Sequence, residues 1–330
     1  MTCPEARPSL PPSHAVLEQA AHWYAVLRDG KACARDRTAW QDWLHADDAH
    51  QAAWRYVENI GRNFTPLRGQ ADARLAADAL GQATRYRHTR RRILASTALL
   101  TGGTLLGYLG WREALLPAGL MAFGADHRTG VGEQRQISLA DGSQVWLNTA
   151  SAINVEINDH ARTVTLVDGE IFINTAKDAS RPFFVQTKYG RMQALGTQFT
   201  VRSQADRTLL AVYEGAVELR IPTGVRVLQA GQQVGFSATD IFATETADSA
   251  REAWTQGVLI ADNIPLRQVV DELRRYRRGH LGVADEVAEL KVYGHFPIQD
   301  SERVLRMLSS VLPVRIAQPL PWWTSIEARR

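Results

Sequence analysis

Few residues in this chain combine type and spacing in a way that could do chemistry, and the most suggestive pair is Gly196-Thr197. A Thr hydroxyl directly after Gly can attack the preceding carbonyl if the peptide is strained, giving an ester that water cleaves. A Gly-Thr turn ahead of a strand also needs no chemistry, and both readings stand. Elsewhere there is no carboxylate pair at a motif-like spacing, no Gly-x-Ser-x-Gly and no metal cluster. His45 and His50 are five apart, off the i, i+4 spacing of a helical metal pair, and Cys3 and Cys33 are thirty apart. No metal or other cofactor is expected, and self-cleavage aside the chain is not expected to be an enzyme.

The element that organises the rest is residues 93–111, ILASTALLTGGTLLGYLGW, the only run of about this length without a charge. Nineteen residues at 1.5 Å each just cross a hydrocarbon core of about 30 Å. Arg85, Arg87, Arg90, Arg91 and Arg92 crowd against its start, whereas only Arg112 and Arg128 follow it closely. Positive charge stays inside, so the expectation is a single-pass membrane protein with its N-terminus cytoplasmic and its C-terminal part outside. A cleaved signal peptide is not expected, because some ninety residues precede the run. Both cysteines then lie on the reducing side. Residues 1–92 hold 14 Lys/Arg against 10 Asp/Glu, and residues 112–330 hold 24 against 25. The basic balance therefore belongs to the arginine cluster at the membrane and argues for lipid contact, not nucleic acid. Gly102, Gly103, Gly107 and Gly110 would suit intramembrane cleavage, Gly103 and Gly107 also make a GxxxG pairing motif, and plain packing would explain either.

Residues 1–84 read as a small helical domain. Leu17, Ala20, Ala21, Tyr24 and Leu27 fall at helical spacing; further helices are expected from about Asp36 and from about Asp48, with a weaker one over 61–84. Trp23, Trp40, Trp43 and Trp54 suit a small aromatic core, but a segment this short buries only about 60% of its surface. Some of these indoles should face a partner. A DNA-binding domain is the alternative, making the chain a membrane-anchored transcription regulator with a periplasmic sensor; Arg35 and Arg37, offset by Asp36, Asp42, Asp47 and Asp48, argue against it.

Beyond the basic segment 85–92, the span 93–111 and a tether at 112–128, residues 129–237 are expected to form an all-β domain. Alternating runs at 136–139, 145–147, 153–157, 164–167 and 171–173 are separated by Asp141-Gly142, Asn158-Asp159 and Asp168-Gly169, and further runs lie at 183–186, 199–202, 209–213, 217–219, 225–228 and 233–236. A jelly-roll-like sandwich is expected, with a short β-solenoid as the alternative. A polar linker at 238–257 leads to a C-terminal α+β module at 258–330, of βαββαβ type, with amphipathic helices near 266–277 and 304–312.

The segments GEQRQISLADGSQVWLNTASAINV from Gly132, RTVTLVDGEIFINTAKDASRPFFV from Arg162, ALGTQFTVR from Ala194, VYEGAVEL from Val212 and LQAGQQV from Leu228 resemble, in order, the motifs of the FecR family of membrane-bound sigma-factor regulators. HWYAVLRDG from His22 and WQDWLHADDAHQAAW from Trp40 are similar to that family's cytoplasmic domain. The resemblance implies an anti-sigma factor, also needed for activation in some members, that binds an extracytoplasmic-function sigma factor through its inner helices, here with Trp23, Trp40, Trp43 and Trp54. It implies a periplasmic partner as well, the signalling domain of a ligand-occupied TonB-dependent receptor, most often one for an iron chelate. The C-terminal module resembles such signalling domains, and a sheet with free edges can bind by strand addition. Trp322 and Trp323 are equally candidates for that contact. Some family members cut themselves at the step matching Gly196-Thr197, and periplasmic and intramembrane proteases would complete the signal.

Overall fold

The computed structural model describes residues 12–28, 32–64 and 124–329. The expected span at 93–111, Arg85, Arg87, Arg90, Arg91 and Arg92, and most of 61–84 lie outside these residues. Among the described residues no helix is long and apolar enough to cross a membrane. They fall into two compact units, one of residues 12–54 with 124–329, the other beginning at Arg55.

Among the described residues three helices come first: α1 (His14–Arg28), α2 (Ala34–Ala46) and α3 (Asp48–Phe64). The starts differ in detail from the expected Asp caps. Cys33 precedes α2, and Asp36, in its first turn, accepts the Cys33 N–H at 2.9 Å. Asp47, not Asp48, accepts the Ala49 N–H ahead of α3, at 2.8 Å. Each satisfies a donor that the helix start leaves free. The α1 helix buries Ala20, Ala21 and Tyr24, whereas α2 buries no residue fully.

The β domain is built from two seven-stranded sheets. One contains β1 (His127–Arg128), β4 (Ala152–Ile157), β5 (Arg162–Asp168), β7 (Phe183–Gln186), β8 (Arg191–Ala194), β11 (Ala216–Ile221) and β12 (Gly224–Gln229), in that spatial order. The other runs β14 (Ile241–Thr246), β13 (Gln232–Phe236), β10 (Thr208–Glu214), β9 (Gln198–Ser203), β6 (Glu170–Asn174), β3 (Gln144–Leu147) and β2 (Arg135–Ser138). Strand order follows chain order in both, and the chain hops between sheets as it advances. A jelly roll would return late strands beside early ones. The expected jelly roll is therefore corrected to a two-sheet, solenoid-like advance. Residues with period-two burial, such as Val145 and Leu147, Val164 and Leu166, Val217 and Leu219, meet in one core between the sheets. Two boundaries also shift: β1 pairs with β4 inside the expected tether, and the expected linker carries β14 and a 3-10 helix, Ser249–Gln256, that buries Trp254.

The C-terminal module comprises β15 (Val258–Pro265), α4 (Leu266–Arg274), β16 (His280–Val283), α5 (Asp285–Ala288), β17 (Lys291–Pro297), α6 (Ser301–Val311), β18 (Val314–Leu320) and β19 (Trp323–Ala328). Leu266, Val269, Val270 and Leu273 of α4 meet Val304, Leu305 and Leu308 of α6 in a second core, at the helical spacing read from the sequence. β15 pairs antiparallel with β17, and β19 lies between β16 and β18, parallel to the first and antiparallel to the second. The βαββαβ expectation lacked β19, which follows β18 and pairs with it.

Candidate functional site

Gly196 stands at the entrance to β9 with φ +78°, a conformation that glycine adopts without penalty. Its neighbour Leu195 is exposed, while Thr197 is buried. Thr197 is held by its backbone: its N–H donates to Thr175 Oγ1 at 2.9 Å, and its carbonyl accepts the Thr175 N–H at 3.1 Å. Its hydroxyl Oγ1 is buried and has no hydrogen-bond partner. Such an oxygen ordinarily finds one. The Gly196 carbonyl is pressed against Gly215, where a Cβ would stand only 2.4 Å from that oxygen. An open cavity of about 280 Å³, lined among others by Arg162, Lys177, Asp178, Gln193 and Leu195, reaches Gly196. The two expected residues therefore combine a close-packed carbonyl, an unpartnered hydroxyl and an approach for water.

The wall of that cavity is fixed by a buried ion pair. Arg162 Nη1 lies 2.8 Å from Asp141 Oδ2, with both side chains almost fully buried. Arg162 also donates to the carbonyls of Ala176 and Arg181, each at 3.0 Å, and so ties down the 175–182 loop. Burial pushes the Asp141 carboxyl up, but Ser143 and Arg162 together outweigh it and hold the group below its ordinary range. Beyond the loop turn, Asp178 is held well below the usual carboxylate range by Ser180 and Arg181.

The four expected partner-binding indoles are all half-buried. Trp40 and Trp54 pack with ring centroids 5.0 Å apart, Tyr24 lies 6.0 Å from Trp54, and Trp43 stacks on His50 at 4.5 Å. Trp43 Nε1 donates to Gln19 of α1 at 2.8 Å. Trp23 neighbours His22, 6.1 Å away. The Trp40 Nε1 is buried and without a partner. Arg35, Arg37 and Asp42 are exposed on α2 and Asp36 is partly so, and the helix therefore presents mixed charge.

Trp322 and Trp323 are buried. Trp323 stacks on His280 at 3.7 Å and donates through Nε1 to Glu18 of α1 at 3.0 Å, while Trp322 meets Tyr24 edge-on at 5.5 Å. Ser325 Oγ lies 3.1 Å from His14 Nε2. Burial, reinforced by Arg274, His14 and Arg277, pushes the His280 imidazole down to about 3, so it is neutral at ordinary pH. Among the described residues no group of three or more His, Cys, Asp or Glu could hold a metal.

Sequence reasoning missed a polar chain that joins the β domain to the C-terminal module. Arg275 Nη2 lies 2.6 Å from Glu170 Oε2 and Nη1 contacts Glu272, whose other oxygen lies 3.1 Å from Arg202. Asn148 donates to Glu170 at 2.9 Å and accepts from the Tyr276 hydroxyl at 2.9 Å. The pairs that cross from the β domain to the module are separated by 70 to 128 positions in the chain, which no local pattern reveals.

A helical region with a half-open aromatic cluster, followed by a two-sheet β domain and an α+β module, defines a modular protein with a small helical head and a β-rich body. Residues 125–218 match the family model described as FecR protein, and residues 18–60 match the domain of unknown function DUF4880. The likeness to the FecR family read from the sequence is thereby shown: the chain carries a FecR domain behind a DUF4880 domain. Two crystal structures of a candidate anti-sigma factor from Parabacteroides distasonis, at 1.65 and 2.50 Å, are similar to it, each with a TM-score of 0.51. They are 25% and 24% identical to this chain and cover 61% of it and 97% of their own length. None of the curated proteins matches this chain.

Proposed function

We propose that this protein regulates an extracytoplasmic-function sigma factor, holding it through the α1–α3 helices. The observation that carries this reading is the aromatic cluster of Trp40, Trp43 and Trp54, half-exposed in the region that matches DUF4880 and ahead of a FecR domain. Aromatic side chains that one small domain only half buries are the commonest anchors of protein interfaces. Likeness to a candidate anti-sigma factor supports the same assignment. Deleting the gene should raise or abolish transcription from the promoters of one such sigma factor; an unchanged transcript profile would contradict the proposal.

The finer reading is a single-pass inner-membrane transducer. The helices face the cytoplasm, the β domain and C-terminal module face the periplasm, and the outer partner is the signalling domain of a TonB-dependent receptor, here for an iron chelate. The arginine cluster and the uncharged run at 93–111 support it. A span there and the contact of α1 with β19 exclude each other within one chain. In the spanning form α1 is on the far side of the bilayer, and the Trp322 and Trp323 face is open to the receptor. Labelling of His14→Cys and of Ser325→Cys, each in a chain with Cys3 and Cys33 replaced by Ser, with a membrane-impermeant maleimide on spheroplasts tests this, because the two side chains are neighbours when α1 is docked and lie on opposite sides of the bilayer when it is not. Ser325→Cys should be labelled and His14→Cys should not until the membrane is permeabilised; equal labelling of both in intact spheroplasts would remove the span from the account.

A lone span transmits a rigid-body change poorly, so cleavage is the simpler route for the signal. Thr197 Oγ1 attacks the Gly196 carbonyl carbon, the Gly196–Thr197 C–N bond breaks, and the hydroxyl proton passes to the freed amine. Water then hydrolyses the ester to a Gly196 carboxylate and restores the Thr197 hydroxyl. The unpartnered hydroxyl, the crowded carbonyl and the cavity support this sequence. Periplasmic and intramembrane proteases would complete the release. Thr197→Ala should abolish the fragment pair on a denaturing gel; the same two fragments from that variant would contradict self-cleavage.

A further inference from the structure

The strands β6 and β9 form an uninterrupted antiparallel ladder whose registered pairs run from Glu170 with Arg202 to Asn174 with Gln198. One step beyond the second pair, Thr175 and Thr197 exchange backbone and side-chain hydrogen bonds beside Gly196. One step at the first pair, both residues belong to the chain of charges that holds the C-terminal module, through Arg275 and Glu272. Two adjacent strands therefore have the module at one end and the candidate scissile bond at the other, about 16 Å away at 3.3 Å per residue.

The junction is built closely enough to act as a clamp. Glu170 is almost fully buried, and Arg275, Arg202 and Glu272 are mostly so. Thr149 Oγ1 of the β domain donates to the Arg275 carbonyl just past α4 at 2.9 Å, satisfying a helix-end acceptor from outside the module. Gly132, with φ +80°, lets its backbone approach the Tyr276 carbonyl so closely that a Cβ would lie 2.9 Å from the oxygen. Alongside, Phe172 of the β domain packs with Trp254, Tyr276 and Ile298 in an apolar cluster across the same boundary, and a small cavity lined by Glu170, Arg202, Glu272 and Leu259 sits beside the charges. Directional polar bonds thus share the joining with this apolar contact, and losing one leaves a buried charge unpaired.

We infer that the Glu170–Arg275–Glu272–Arg202 chain clamps the C-terminal module onto β6 and β9, and that this ladder sets the order of the Gly196–Thr197 junction according to whether the module is docked. Arg275 and Glu272 are positioning residues in this scheme. A partner that pulls on the module would loosen the junction without touching it. Only the consequence for cleavage rests on the reading of Gly196–Thr197 given above; the coupling itself does not.

Amide hydrogen exchange on the full chain in detergent micelles tests it, comparing peptides that cover 194–200 with peptides that cover 217–229. Arg275→Gln should speed exchange across 194–200 by about tenfold and leave 217–229 unchanged. Arg275→Lys keeps the charge but cannot bridge two carboxylates in the same geometry, and should give a smaller increase. Unchanged exchange at 194–200 in the folded variant overturns the inference, and so does an equal increase in both regions, which would mean general destabilisation. If Arg275→Gln does not fold, Glu272→Gln gives the same readout through Arg202. A wild-type chain that never yields the two fragments would remove self-cleavage and leave the exchange result standing on its own.

Discussion

The helical head and the β body solve the problem of burial in opposite ways. In the β domain the large side chains Phe183, Phe199, Met192 and Phe236 are essentially sealed from water, and the buried Arg162 has an acidic partner and carbonyl acceptors. In the head no residue of α2 is fully buried and the indoles are half-covered. A region that seals its apolar core can serve as a scaffold; one that leaves aromatic surface half-covered has room for a partner to finish it. The difference accords with the proposal that the head, and not the β body, holds the partner.

That contrast can be broken at three places. Replacing Arg162 with Ala strands the buried Asp141 carboxylate and frees the 175–182 loop, and should cost about 3–5 kcal/mol in chemical denaturation. A much smaller loss would mean that the β body is not the tightly completed scaffold described here. A moderate effect is expected at the junction on acidification. Burial pushes the Glu272 carboxyl up, but Arg275 and Arg202 outweigh it and hold the group below its ordinary value of 4.5. A carboxylate lowered in the folded state stabilises the fold above its unfolded value, and the contribution is lost as pH falls through the folded value. The melting temperature should therefore drop as pH falls below about 4.5, and Glu272→Gln should flatten that part of the profile. The smallest effect is in the head: Trp40→Phe removes a polar atom that has no partner and should change stability by no more than about 0.5 kcal/mol. A large loss would show that Trp40 belongs to a completed core.

Much of this architecture was legible because burial follows period. The runs at 145–147, 153–157 and 217–219 alternate, and each is a strand with one face in the core. The helical stripes at 266–273 and 304–308 likewise became the two helices that face each other in the module. Where a strand has no contrast between faces, the pattern fails. β14 is exposed almost throughout, and β19 is buried at four successive positions, two of them Thr324 and Ser325. β8, Arg-Met-Gln-Ala, alternates, but over only four residues. At the candidate site, Gly196-Thr197 was visible as a dipeptide, but the pressure of Gly215 on its carbonyl comes from a strand end nineteen positions away. The charges of the clamp are farther apart still, and single Glu and Arg residues carry no signal of burial until the fold brings them together.

The central claim is that the head holds a sigma factor. The most direct measurement is to recover the tagged protein from its native host after mild crosslinking and to identify what accompanies it by mass spectrometry, with Trp43→Ala alongside. The account predicts an extracytoplasmic-function sigma factor with the wild type and at least about tenfold less of it with the variant, the loss of one interface anchor. Recovery of DNA alone, or of equal sigma factor with both chains, would contradict it.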